Sequence, residues 1–584
     1  MYRLFAPVVL LSIVRAAAAQ DGDARGHSPT VSTLSGQVQG TVRSAPAISN
    51  KPVFTFLGIP FATPPVGDLR FRPPEPVAPW EGVMDATEFG PNCPQDLALV
   101  RSLYDFIPLV VPSDIVSEDC LVLNVMTTSL NSSAALPVMV WIHGGGLQSG
   151  TGSRYNFTAL AAYQDVVVVT LHYRLGALGF LSTGDDNAPG NYGLLDQVEA
   201  LRWIKSNIRS FGGDPDCVTI FGESAGGQSV SYLVLSPLAN GLFHRAISQS
   251  GTALGQNTPT TTKSLAAATV QAEEVGCGNL HDVKAMMSCL RQKPFQDIVD
   301  SVPGVARKLG VKPFPPVVDK HFLQDPPMVV LHKGQFSKVP YLLGVNNHEF
   351  GYLLPSILLP GFGNGIPQDA LAAIVKNLLL LIAQADIDDE MVASVLEEYQ
   401  DPDTEADPMA VQMMLTHILS DSVWLLPTVV VANNHAAQCA HVYLYENQHR
   451  PAAIAKPAWV GSDHGDDLFM VTGMPYLGED GPTYPSKPLF FSEEDKQFSL
   501  DMMAYWANFA RTGNPSDFTG SPSVRPNLTV WPSYTPDNPA YLKLAVTSSA
   551  EVGLKDNHVR FWYDILHNQP PFEVPKDITG KDEL

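Results

Sequence analysis

The sequence predicts an α/β fold built on a large, mixed and mostly parallel sheet flanked by helices. Three observations carry this expectation. Two runs of strand length, residues 138–143 and 166–171, are apolar but for His143 and Thr170, as strands covered on both faces tend to be. Leu194, Val198, Leu201, Ile204 and Ile208 recur at the spacing of a helix that packs on a sheet. In the stretch Val218-Thr219-Ile220-Phe221-Gly222-Glu223-Ser224-Ala225-Gly226-Gly227 a β-branched run breaks at a Gly-flanked serine, and a buried helix follows, read over residues 229–235. Strands that alternate with helices in this way imply a sheet with a parallel core.

Taken in order, residues 20–34 are polar, and residues 36–42 and 53–58 read as short antiparallel strands. Pro60, Pro64, Pro65, Pro73 and Pro74 forbid long elements after them. A partly apolar loop, residues 103–112, lies between Cys93 and Cys120, and residues 120–125 form the next strand. The buried strand 138–143 then runs into His143-Gly144-Gly145-Gly146, whose backbone can present successive N–H groups because no side chains crowd them. That is half of a site for a developing oxyanion. Residues 211–215 read as a turn before the strand that leads to Ser224. A serine hydroxyl attacks well only from a sharp, strained turn with small neighbours, and Gly222 and Gly226 supply the room, so Ser224 is the candidate nucleophile.

Residues 246–248 read as a strand, and residues 252–335 as helices and loops. The strand 339–345 ends in Asn346-Asn347-His348-Glu349. An acid just past a core strand sits where catalytic groups of α/β proteins gather, and a solvated turn is the bland alternative for Glu349. Residues 371–382 mark a helix that is apolar almost all round, which points to the core; contact with a membrane surface, or with the access route of a lipophilic substrate, is the sharper alternative. The acidic run Asp386, Asp388, Asp389 and Glu390 reads as a helix N-terminus favoured by its dipole, and no spacing calls for a metal. Trp459-Val460-Gly461-Ser462-Asp463-His464-Gly465-Asp466-Asp467 places His464 in a polar, Gly-flanked loop, the setting a general base needs. Of the 15 histidines, His143, His348 and His441 are the runners-up.

Composition bounds the partners. The hydrophobic fraction of 45% across 584 residues permits a sizeable core. The net charge of −23 disfavours nucleic acid and anionic membranes as main partners. Arg3, an apolar run over residues 4–14 and the small residues 16–19 match a cleavable secretory signal, residues 1–19; the run is about half the length of a membrane span. Lys581-Asp582-Glu583-Leu584 matches the retrieval signal read by the KDEL receptor, so the expected location is the endoplasmic reticulum lumen. Asn131, Asn156 and Asn527 open glycosylation acceptor triplets, whereas Pro515 blocks Asn514. Six cysteines in an oxidising compartment suggest bridges, and the short spacing of Cys277 and Cys289 favours that pair. Cys217 and Cys439 adjoin core strands and read as buried free thiols.

These residues resemble a known group. Residues 211–226 fit the first signature of the type-B carboxylesterases, and Glu118-Asp119-Cys120-Leu121-Val122-Leu123-Asn124-Val125 fits the second. Residues 57–62, 191–197, 249–251 and 506–515 also look like that family, and the likeness runs from about residue 35 to 565. Within it the chain is similar to the liver and intestinal carboxylesterases, with residues 344–355 and 462–467 closest to the carboxylesterase 2 branch. The resemblance implies one α/β-hydrolase domain over residues 20–580, with helical insertions forming an active-site gorge. It implies Ser224, Glu349 and His464 as a triad in the chain order of that fold. It places oxyanion donors at the N–H groups of Gly145, Gly146 and Ala225, and bridges Cys93 to Cys120 and Cys277 to Cys289. The activity it implies is hydrolysis of neutral, fairly lipophilic esters through an acyl-enzyme, with no cofactor.

Four other readings share the fold. A cholinesterase of this family holds its cationic substrate against a Trp in the loop corresponding to Cys93 to Cys120, and no Trp stands there. A lipase or acyl-CoA thioesterase would differ only in pocket shape. Adhesion members such as the neuroligins lack the nucleophile that this chain keeps at Ser224. A luminal retention partner for another protein is compatible with catalysis.

Overall fold

The computed structural model describes residues 28–574, apart from residues 105–114, 256–260, 279–281, 360, 384–386, 401–406, 439, 478–488, 524, 526 and 570. The secretory signal, the retrieval tetrapeptide, Cys439, Asp386 and most of the loop 103–112 fall outside these residues.

A sheet of 11 strands dominates the structure. From one edge its strands run Ser549–Val552, Ala540–Leu544, Val442–Asn447, Tyr341–Asn346, Arg245–Gln249, Gly213–Glu223, Leu136–Ile142, Val167–Leu171, Val122–Thr127, Ser49–Pro60 and Thr41–Ala45. Every pairing from Ala540–Leu544 through Val167–Leu171 is parallel, and the flanking pairings are antiparallel. This is the mixed, mostly parallel α/β-hydrolase arrangement that the sequence predicts. A second sheet of 3 short strands lies near the N-terminus.

Alternation along the core strands feeds two apolar layers. Val138, Val140 and Ile142 enter one with the helices Tyr192–Asn207 and Ala225–Leu235; Met139 and Trp141 enter the other with Thr158–Gln164 and Glu493–Thr512. The chain leaves Leu136–Ile142 for a strand on one side and later returns to Gly213–Glu223 on its other side. The carboxyl ends of these two neighbours therefore form a topological switch point, where open α/β sheets bind ligands.

Local readings shift at a few places. The expected turn at 211–215 is already extended from Gly213, because Gly213 pairs with Leu136 across a register shift. The helix after Ser224 starts at Ala225, earlier than expected, since Gly226 and Gly227 lower its apparent propensity while serving close packing. The apolar helix at 371–382 is Gln368–Leu378 followed by a π-turn, Leu379–Ala383; Leu371, Val375, Leu378 and Leu379 are buried and Leu380 is 36% exposed. The acidic run does open a helix, Asp389–Glu398, with the Asp388 carboxylate accepting from the Met391 N–H. Disulfides join Cys93 to Cys120 and Cys277 to Cys289. Cys217 is free, but only half-buried, because it lies in the outer half of its strand, before the buried run from Val218, beside the Ala510 carbonyl and Arg245. Asn131 and Asn527 are exposed, whereas Asn156 is buried with its carboxamide oxygen taken by the Thr158 N–H.

One buried ion pair shapes the wall beside the switch point. Arg174 donates to both oxygens of Asp196, at 2.8 and 2.7 Å, while the Arg174 N–H reaches the same carboxylate at 3.0 Å. The side chains are 4% and 0% exposed. Removing one partner of such a pair strands a buried charge. Asp196→Asn should lower the unfolding free energy by about 3 kcal/mol, read as a lower denaturation midpoint at unchanged slope. A midpoint equal to that of the wild type would show the pair to be dispensable.

Candidate active site

Ser224 stands between Gly213–Glu223 and Ala225–Leu235 with φ +57° and ψ −123°, a conformation an L-residue holds only when its surroundings dictate it. Two contacts do so. A Cβ on Gly226 would lie 2.0 Å from the Ile142 carbonyl oxygen, and one on Gly222 2.5 Å from the same atom. Only glycine lets the turn sit down on the neighbouring strand. The Ser224 N–H is spent on the Gln249 carbonyl at 2.8 Å.

The loop after Leu136–Ile142 comes over this turn. A Cβ on Gly144 would be 3.1 Å from that of Ser224, and Gly145 has φ +108°. The N–H of Ala225 opens a helix and has no partner within it, and Gly145, Gly146 and Ala225 all line the same cavity as Ser224. His143, at the root of the loop, is fully enclosed; its Nδ1 lies 2.9 Å from the Gly144 carbonyl, and burial holds its pKa down to about 3. It is neutral and structural.

Glu349 and His464 meet through a zipper of two loops. The Asn346 side-chain oxygen accepts from Asn447 and from the Ser462 hydroxyl, and the Asn347 side chain accepts from the Ser462 N–H. Asp463 accepts from the N–H groups of Gly351, Tyr352 and Leu353 at 3.2, 3.1 and 2.8 Å. Glu349, 0% exposed, accepts from the Asn346 N–H with one oxygen and faces His464 Nδ1 with the other at 2.6 Å. An imidazole held this way carries its proton on Nδ1 and leaves Nε2 as its basic nitrogen. His348 belongs to the zipper, with its ring accepting from the Gly461 N–H, and His441 is exposed at the start of a strand.

The sequence reading missed Glu223. Its Oε1 lies 3.3 Å from His464 Nε2, and among the described residues no hydrogen-bond donor reaches that oxygen. Burial raises its pKa to about 8 against the pull of His464. Burial by itself would lower His464, yet the charge of Glu223 and then the Glu349 hydrogen bond raise it to about 9. The signal was in plain view, an acid beside the serine, but what it touches lies 241 residues on. Trp424, with its ring centroid 5.4 Å from that of His464, was also missed.

Ser224, Ala225, Gly145, Gly146, Glu223 and His464 all line one cavity of about 580 Å³. Its wall is mostly apolar, drawn from the helices Phe295–Leu309 and Leu353–Leu358, Trp424 and Leu381. The arrangement can take a proton at His464 Nε2, hold an attacking hydroxyl at Ser224 and offer N–H groups to an anion. Among the described residues no cluster of His, Cys, Asp or Glu is suited to a metal ion.

A base must be neutral to act. If the proton shared by Glu223 and His464 rests on the imidazole, Glu223→Gln removes the charge that retains it, and the acid limb of kcat/KM should move to lower pH. A limb that stays in place would put the proton on Glu223.

The profile of the carboxylesterase family matches residues 27–562. The chain is 38% identical to mouse (Mus musculus) carboxylesterase 1C, over 95% of this chain and 96% of that one. It is 39% identical to pig (Sus scrofa) liver carboxylesterase, over 98% of each, and 40% identical to human (Homo sapiens) cocaine esterase, over 92% of each. Identities this close single out no branch.

Proposed function

We propose, on the premise that the chain belongs to the carboxylesterase family, that this carboxylic-ester hydrolase works through a triad of Ser224, Glu349 and His464. The observation that carries the proposal is His464, fixed at Nδ1 by a buried carboxylate 2.6 Å away and facing the cavity that holds the strained Ser224. His464 Nε2 takes the Ser224 proton as the hydroxyl oxygen attacks the ester carbonyl. The tetrahedral oxyanion is held by the N–H groups of Gly145, Gly146 and Ala225, each donor contributing about 3 kcal/mol. Collapse expels the alcohol, which receives the proton from His464 and leaves an acyl-Ser224. Water, deprotonated by the same nitrogen, attacks that ester, and the acid departs as Ser224 regains its proton. Glu349 keeps the tautomer and stabilises the imidazolium throughout. The apolar wall and the cavity volume suit a lipophilic ester of moderate size.

Ser224→Ala should lower kcat at least roughly a thousandfold with folding unchanged, and a variant that kept more than about a tenth of the activity would remove Ser224 from the role. Glu349→Gln should lower kcat far more than KM. Asp463→Asn should act chiefly through stability, since its carboxylate ties down three backbone N–H groups. The reverse pattern would transfer the acid's role to Asp463.

The address is part of the same proposal: the N-terminal run admits the chain to the secretory lumen, and Lys581-Asp582-Glu583-Leu584 retrieves it to the endoplasmic reticulum through the KDEL receptor. Deleting these four residues should divert active enzyme to the medium, with specific activity unchanged. Active enzyme that stayed in the cell after the deletion would overturn the address.

A further inference from the structure

Lys312 is the one lysine on the cavity wall. It follows the helix Phe295–Leu309 and its closing Gly310, and the next residue is tied to the oxyanion loop, where Gln148 Nε2 donates to the Pro313 carbonyl at 3.3 Å. The ammonium therefore hangs over the loop. A Cβ placed on Gly146 would lie 3.3 Å from Lys312 Nζ. No carboxylate or hydrogen-bond acceptor among the described residues pairs with it. Arg154, also on the wall, acts on the Glu223 carboxyl.

A cation in such a place has a cost. Burial alone, with no charge acting on it, brings the Lys312 pKa down to about 8. Lys312 is partly buried, and the apolar side chains that line the same cavity, among them Ile298, Val302, Ala306 and Pro313, offer its ammonium no side-chain acceptor. An unpaired ammonium in an apolar cavity has open donor positions, and they point to a ligand that brings its own acceptor. The chain's net charge of −23 sharpens this. An anionic substrate would be repelled by the molecule at large, although salt screens charges beyond about 8 Å, so only a local cation could hold it in the site.

We infer that Lys312 determines specificity by binding an anionic group on the substrate, so that the enzyme also takes esters carrying a carboxylate a short chain away from the scissile carbonyl. This rests on the ester-hydrolase reading of the same cavity and extends it from neutral esters to acidic ones. The ammonium gains an acceptor that no described residue gives it, and the bound carboxylate gains a charge-assisted hydrogen bond. Lys312 takes no part in the proton transfers at Ser224 and His464, so its influence should follow the charge of the substrate.

Two matched pairs test this, one for each side of the ester. Monoethyl adipate against ethyl hexanoate places the carboxylate on the acyl chain; the O-acetyl ester of γ-hydroxybutyrate against butyl acetate places it on the alcohol. For at least one pair, Lys312→Met should lower kcat/KM for the anionic ester roughly tenfold and that for its neutral partner less than about twofold. Lys312→Arg should restore most of the loss. Thermal melting of each variant separates these effects from misfolding. An anionic-to-neutral ratio unmoved by Lys312→Met in both pairs overturns the inference, as does an equal fall for both members, which would make Lys312 a general stabiliser of the oxyanion loop. Wild-type enzyme inactive on both neutral esters would instead sink the hydrolase reading, and this inference with it.

Discussion

The site depends on one close approach, that of the Ser224 turn against the Ile142 carbonyl. Backbone meets backbone there, with no room for a Cβ at Gly222 or Gly226. The sharp turn leaves Ser224 strained, and the sheet beneath makes the strain affordable by fixing both strands in parallel register over Val138 to Ile142. Once the turn is seated, Gly144 comes beside the serine, and Gly145, Gly146 and Ala225 line the same cavity. The backbone features that the proposed acyl transfer uses thus share one packing constraint at the switch point.

The acid and the base are held by different means. Glu349 ends a core strand, but His464 lies in a loop 17 residues beyond the end of the next one, Val442–Asn447. Nothing in a free loop would keep an imidazole at 2.6 Å from a carboxylate. The zipper of Asn346, Asn347, Asn447 and Ser462, completed by the three N–H bonds to Asp463, turns two loops into one rigid piece. Polar residues that a sequence reader assigns to solvated turns are here buried and satisfied, as a supporting shell for a site must be.

That difference marks what was legible. The order of the core strands and the Ser224 turn could be read because apolar runs, β-branching and glycine spacing are local signals. Glu349 could be placed as an acid past a strand, and His464 as a histidine in a Gly-flanked loop. What the sequence did not show is how two carboxylates of the meeting loops differ: Glu349 faces the ring, and Asp463 is taken up by backbone N–H groups. The helix start at Ala225 was obscured because Gly226 and Gly227 serve packing rather than propensity. Glu223 stood in plain view beside the serine, but its contact with His464, like the absence of a partner at Lys312, is visible only when the surroundings are known.

The buried charges around His464 follow one rule, which gives the site its electrostatic character. Asp463 has three N–H donors, and Asp466 has Lys456 together with the Asp463 N–H. Asp467 has the Gln249 amide on one oxygen, and Glu349 has the Asn346 N–H besides the imidazole. Glu349 is hydrogen-bonded to the ring at Nδ1, whereas Glu223 faces Nε2 across 3.3 Å with an oxygen that no described donor reaches. A carboxylate without donors is the one whose charge responds most to its neighbours. In the proposed reaction, the charge that forms on His464 as it accepts the Ser224 proton would therefore appear beside Glu223, whose Oε1 is still open.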